Sequence, residues 1–132
     1  MFNRLVTDLL AGLGFSDDKI RKVSLHQTVT VQLQDGPDIM LSVDEGRYWI
    51  WSRIPHIEPV NVTANAERIL HTLIQPIIGI EGGQLQLGFG EPDLELKGLL
   101  NIEYILSGED KLKTTFAAFH TYVAEISTAV GN

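Results

Sequence analysis

The chain has 132 residues, 44% hydrophobic and 20% charged, with 17 acidic against 10 basic side chains for a net charge of −7, and no cysteine. That length and composition give one folded domain, 1–132, large enough for a real core and without a disordered tail. The acidic balance makes nucleic acid and anionic membrane poor partners, and the lack of thiols excludes disulfides, thiolate catalysis and cysteine-bound zinc.

Phe2, Leu5, Val6, Leu9, Leu10 and Leu13 recur at helical spacing, and Gly12 and Gly14 stop the run. An amphipathic helix over residues 2–13 follows. Arg4 and Asp8 interrupt its apolar residues, so it does not read as a signal peptide, and no run is long enough to span a bilayer. The expectation is a cytoplasmic protein. Ser16-Asp17-Asp18 opens a polar connection with room for a helical turn.

From Thr28 to Arg53 the chain alternates apolar and polar residues twice, breaks at Asp35-Gly36-Pro37 and at Glu45-Gly46, and closes on Trp49-Ile50-Trp51. This predicts a three-stranded antiparallel meander. With Glu45-Gly46 as a two-residue turn, Asp44 faces Arg47, Val43 faces Tyr48, Leu41 faces Ile50 and Met40 faces Trp51. An odd-length loop at Asp35-Gly36-Pro37 then sets Leu33 against Ile39 and Val31 against Leu41, because a one-residue slip would exchange the two faces. One face is uniformly apolar: Val29, Val31, Leu33, Ile39, Leu41, Val43, Tyr48 and Ile50. The other mixes threonine, serine and glutamine with Met40, Trp49, Trp51 and Arg53.

Pro55 and Pro59 rule out an inner strand after Arg53, and Asn61 or Thr63 can cap a second helix. Its stripe is Ala66, Ile69, Leu70, Leu73, Ile74 and Ile77, with a kink or end near Pro76 and a stop at Gly79. Leu85, Leu87 and Phe89 alternate with polar or glycine positions, which makes a strand, and Gly90-Glu91-Pro92 is a turn. From Leu94 to Leu106 every even position except Gly98 is apolar, so one long strand is expected, bulged at Gly98. Ser107-Gly108-Glu109-Asp110 has the form of a helix start. Leu112, Phe116, Phe119, Val123, Ile126 and Val130 then give a long third helix ending at Gly131. The order is helix, three strands, helix, two strands, helix: an α+β fold with helices packed on an antiparallel sheet.

Catalytic signals are missing. His26, His56, His71 and His120 show no metal spacing, and Gly88-Phe89-Gly90 lacks the third glycine of a dinucleotide fingerprint. Glu91, Asp93, Glu95 and Glu103 read as a solvated face. No enzyme, cofactor or metal is expected. Trp49, Trp51 and Met40 on a polar face, with Phe2 at the margin, mark instead a surface that is covered by core, by a mate or by a partner.

The run Leu41-Ser42-Val43, then Tyr48-Trp49-Ile50-Trp51-Ser52, a proline-bearing loop, and a helix with Asn65 and Ile69-Leu70 resemble the type III secretion chaperones of the invasion protein B/SpaK kind. The resemblance covers nearly the whole chain. It implies the class that serves several effectors: a homodimer that binds their non-globular amino-terminal segments and keeps them soluble and export-competent, without nucleotide hydrolysis. A contact with the export-apparatus ATPase is among the partners it implies. Patterning and resemblance together point to Phe2, Leu5, Leu9, Met40, Trp49 and Trp51 for effector binding. For the dimer interface they point to Leu70, Leu73, Ile74, Leu100, Ile102 and Tyr104, with Pro76 and the turns at Gly79, Gly82-Gly83 and Gly88-Phe89-Gly90 as departures from the family pattern. The alternative is a small cytosolic regulatory or ligand-binding domain, which would enclose a cavity between sheet and helices. An enzyme would need His26, His56 or His120 gathered with carboxylates in one cleft.

Overall fold

A computed structural model describes residues 1–22, 28–90 and 92–131. Helix α1 (Phe2–Gly12) and a short α2 (Asp17–Lys22) precede strands β1 (Thr28–Val31), β2 (Ile39–Asp44) and β3 (Arg47–Ile54). Helices α3 (Pro59–Ala64) and α4 (Ala66–Leu73) lead through a 3₁₀ turn (Glu81–Gly83) to β4 (Gln86–Gly90) and β5 (Asp93–Leu99). A four-residue α5 (Ile102–Ile105) and the long α6 (Lys111–Ala129) finish the chain. The strands form one antiparallel sheet in the order β1-β2-β3-β5-β4, so β1 and β4 are its edges. None of the described helices is long and apolar enough to cross a membrane.

The β2–β3 hairpin has the expected register, from Asp44 opposite Arg47 to Met40 opposite Trp51. Glu45 and Gly46 both have positive φ, as a tight two-residue hairpin turn requires. The β1–β2 register differs from expectation by two residues: Val31 pairs with Ile39 and Val29 with Leu41, while Leu33 lies beyond the strand. The loop runs from Gln32 to Asp38, where Gly36 takes φ +86° and Pro37 has no amide hydrogen to give the ladder. Its length stays odd, so the two faces keep their identity and Leu33 still packs half-buried against the core.

The inner face carries that core. Val29, Val31, Ile39, Leu41, Ile50, Ile54, Leu94 and Leu96 are buried against Val6, Leu9 and Leu10 of α1 and the α6 stripe. All six predicted α6 positions, Leu112, Phe116, Phe119, Val123, Ile126 and Val130, are buried. Each such side chain contributes about 1.5–3 kcal/mol through burial. Ser52 fits this apolar layer because its hydroxyl donates to the Asp38 carbonyl at 2.6 Å.

Three further expectations are corrected. The second helix starts at Pro59, whose missing amide hydrogen costs nothing at a first helical position. Asn61 and Thr63 are therefore inside α3, and the break falls at Asn65, whose side-chain amide donates to the Asn61 carbonyl at 2.8 Å. The fifth strand stops at Leu99, and Leu100 makes only a bridge to Ile80. Asn101 then caps α5 by accepting the Tyr104 amide at 3.2 Å, so residues 102–105 coil instead of extending. Gly98 is not bulged, since it sits in unbroken register with Ile50. A Cβ there would come within 2.8 Å of Ile80 and Leu85, and glycine lets that segment lie close on the sheet.

Candidate binding surfaces around the open sheet

The face of the sheet turned away from α1 and α6 alternates with the core face along every strand. It carries Thr28 and Thr30, then Met40 and Ser42, then Trp49, Trp51 and Arg53, and then Glu95 and Lys97. These groups satisfy one another. The Trp51 indole N–H donates to Ser42 Oγ at 2.8 Å, and Ser42 and Thr28 hydroxyls share a hydrogen bond at 3.1 Å. The Arg53 guanidinium lies 5.0 Å from the centre of the Trp51 ring, and Lys97 Nζ lies 5.9 Å from that of Trp49. Arg53 Nε also donates to Glu95 at 3.1 Å. Met40 is 8% exposed and lines one hollow with Trp51, Pro37 and Pro55. Met40 is thus the interior of a small outer cluster and offers little contact surface itself.

The six residues expected to bind effectors do not form one surface. Phe2 stacks on Tyr48, with ring centroids 5.9 Å apart, and Tyr48 is on the core face. Leu5 is half-buried beside it and Leu9, 3% exposed, belongs to the core. Phe2, Leu5 and Leu9 therefore lie on the opposite side of the sheet from Met40, Trp49 and Trp51. Leu9 is corrected from surface to core because it sits on the buried stripe of α1.

A second surface was hidden in what looked like a polar connection. Leu10, Phe15 and Ile20 line a hollow of about 400 Å³ with Val29 and Val31, beside the free edge of β1, and Lys19 and Gln32 add polar groups to its wall. The signal was present in the sequence as two lone apolar residues, Phe15 and Ile20, among Ser16, Asp17, Asp18 and Lys19.

The residues expected at a dimer interface also divide. Leu70, Ile74 and, unforeseen, Ile78 are 58%, 53% and 52% exposed at a spacing of four, while Leu73 is half-buried. Leu100 is 5% exposed and is corrected to core. Ile102 and Tyr104 lie half-buried on α5, with Lys111 Nζ 5.2 Å from the centre of the Tyr104 ring.

The other flank of α4 faces α6 across an open groove of about 1060 Å³ that includes His71, His120, Glu67 and Glu125. Thr72 donates to Glu125 at 3.2 Å, and the Tyr122 hydroxyl donates to the Pro76 carbonyl at 2.9 Å. Desolvation, and then the Glu125 charge, push the Tyr122 hydroxyl above its usual range. Among the described residues no group of three or more acidic or histidine side chains is arranged to hold a metal ion. His56 is exposed in the loop before α3, away from that groove, and His26 and Glu91 lie outside the described residues.

Among the described residues the chain is a single antiparallel sheet with helices on one face, an open opposite face and an edge strand, β1, beside an apolar hollow. The sequence profile of the Invasion protein B family matches residues 14–91, and the chain belongs to that family. SpaK, the surface presentation of antigens protein of Salmonella typhimurium, is 29% identical over 126 residues, covering 96% of this chain and 93% of the relative. The SpaK of Salmonella typhi matches to the same extent. The fold is similar to a structure of the HopA1–SchA chaperone–effector complex, with a TM-score of 0.65, 15% identity and coverage of 96% and 93%. It is also similar to the heterodimeric ExoU–SpcU complex from the type III secretion system of Pseudomonas aeruginosa, with a TM-score of 0.58, 14% identity and coverage of 95% and 93%. The resemblance read from the Tyr48–Ser52 strand is the family that the profile matches, and family and fold together support a secretion-chaperone role.

Proposed function

We propose that the chain is a cytoplasmic, non-enzymatic chaperone that holds the non-globular amino-terminal segments of type III effectors as extended chain. The observation that carries this reading is the free edge of β1 beside the hollow of Leu10, Phe15, Ile20, Val29 and Val31. An incoming strand would complete the unpaired backbone groups of β1, and alternate side chains would enter the hollow. Main-chain pairing supplies affinity with little sequence demand, which suits a carrier of several effectors. The other edge, β4, is a poorer platform, because Gly88 and Gly90 leave bare one face of the strand.

A homodimer belongs to the same proposal. Leu70 on α4, Ile74 at its C-cap and Ile78 in the turn that follows are exposed apolar side chains of the kind that a second copy covers. An export-apparatus ATPase as further partner is part of the reading that the family resemblance suggests. The alternative of an enclosed ligand pocket is less favoured, because the groove between α4 and α6 is open rather than enclosed.

The test is co-purification of secreted proteins with the chain and with Ile20→Glu and Phe15→Glu, two changes in the wall of the hollow. Capture should fall at least about tenfold in variants whose circular dichroism shows the fold retained, since a client laid over the hollow would strip the new carboxylate of its hydration. Undiminished capture by both folded variants would contradict the assignment of the client site.

A further inference from the structure

Between α4 and the 3₁₀ turn the chain runs irregularly from Ile74 to Ile80, and its four isoleucines divide. Ile77 and Ile80 are buried, at 4% and 5% exposure, while Ile74 and Ile78 stand out at 53% and 52%. Irregular surface chain of this kind is ordinarily loose, because its backbone groups bond to water. Here they are taken up. The Ile74 carbonyl accepts the Gln84 side-chain amide at 3.3 Å, the Pro76 carbonyl accepts the Tyr122 hydroxyl at 2.9 Å, and the Ile78 carbonyl accepts the Thr115 hydroxyl at 3.0 Å. The Asn101 amide donates to the Gly79 carbonyl at 2.8 Å, and the Ile77 amide to the Gly83 carbonyl at 2.7 Å.

Two of these donors come from one face of α6. Thr115 and Tyr122 are seven residues apart, which is two helical turns, or about 10.5 Å along the axis. Their neighbours Thr114 and Thr121 bond back to their own helix, at the Asp110 and Ala117 carbonyls. The Thr115 and Tyr122 hydroxyls are spent on the segment instead. Thr115 is fully buried, and a Cβ on Gly79, which has φ +88°, would collide with its hydroxyl. Glycine is what lets the segment close onto α6 there.

Pro76 has no amide hydrogen and these carbonyls are already occupied, so the segment offers little to an extended chain through main-chain pairing. What it offers is two apolar side chains in fixed positions after Leu70, which suits another preformed surface, and a second copy carries the same one. We infer that Tyr122 and Thr115 are positioning residues for self-association: they hold Ile74–Gly79 in the shape that sets Ile74 and Ile78 against a second copy of the chain. Holding the segment beforehand removes the ordering cost that a loose loop would meet on association. The inference rests on the homodimer reading and adds to it two side chains, on a different helix from the contact, that set its strength.

The test is the dimer dissociation constant of the full chain, by sedimentation equilibrium well below the melting temperature. Wild type should dimerise, and Ile78→Glu should be monomeric. Tyr122→Phe loses only a hydroxyl at a half-buried position, and should weaken the dimer at least about fivefold with native circular dichroism. Thr115→Val should do the same, and Thr115→Ser, which keeps the hydroxyl, should associate like wild type. Tyr122→Phe decides the matter should Thr115→Val, at a fully buried position, fail to fold. Ser52→Ala is the control. It removes a bond of the same kind, from a buried hydroxyl to the Asp38 carbonyl in the β1–β2 loop, and should lower the melting temperature without weakening the dimer. A dimer that survives Ile78→Glu, is indifferent to both Tyr122→Phe and Thr115→Val, or is loosened as much by Ser52→Ala would overturn the inference and leave a homodimer standing. A chain monomeric at every concentration would overturn both.

Discussion

The two faces of one sheet use the same alternation to opposite ends. On the inner face Ile39, Ile50, Ile54 and Leu96 lose all contact with water under α1 and α6, and Ser52 is tolerated because the Asp38 backbone carbonyl accepts its hydrogen bond. On the outer face Trp49 and Trp51 stay half-buried and reach the same chemical completeness sideways, through Ser42, Arg53 and Lys97. Burial makes the first face indifferent to partners. The second has settled its indoles among polar and charged neighbours, Asp44 and Glu95 as well as Arg53 and Lys97, and so is a finished surface. Large aromatic residues on a polar face do not by themselves mark an apolar docking patch.

This contrast can be broken by substitution. Phe119→Ala, at the centre of the helical layer, should lower unfolding free energy by about 3–5 kcal/mol, read from the urea midpoint, because the cavity cannot collapse in a packed core. Trp51→Phe keeps a ring beneath Arg53 and loses only the indole hydrogen bond to Ser42, so the same measurement should show about 0.5–1.5 kcal/mol. Comparable losses for the two variants would mean that the outer face is core and that the division is wrong.

The alternation itself was legible, and with it the membership of both faces, the β2–β3 register and the six-residue stripe of α6. What escaped has a common cause: a period of two cannot sense a shift of two. The β1–β2 register moved by that amount because the turn geometry around Gly36 and Pro37, which alternation does not encode, sets loop length. Residues 100–106 have strand-like even positions, but Ile102 and Ile105 also stand three apart, and the Asn101 cap decided for helix. For the surfaces, alternation separated Met40, Trp49 and Trp51 from the core face without saying that α1 covers the latter. Phe2 and Leu9 were therefore grouped with residues on the far side. The hollow at β1 was missed because Phe15 and Ile20 have no periodic neighbours to draw attention to them.

The central claim is that extended client chain pairs with the free edge of β1. Amide hydrogen exchange, measured with and without the amino-terminal segment of a co-purified secreted protein, tests it most directly. The account predicts new protection at β1, from Thr28 to Val31, with smaller changes around Phe15 and Ile20. Exchange at β1 unaltered by bound client, with protection appearing in the groove between α4 and α6 instead, would contradict it.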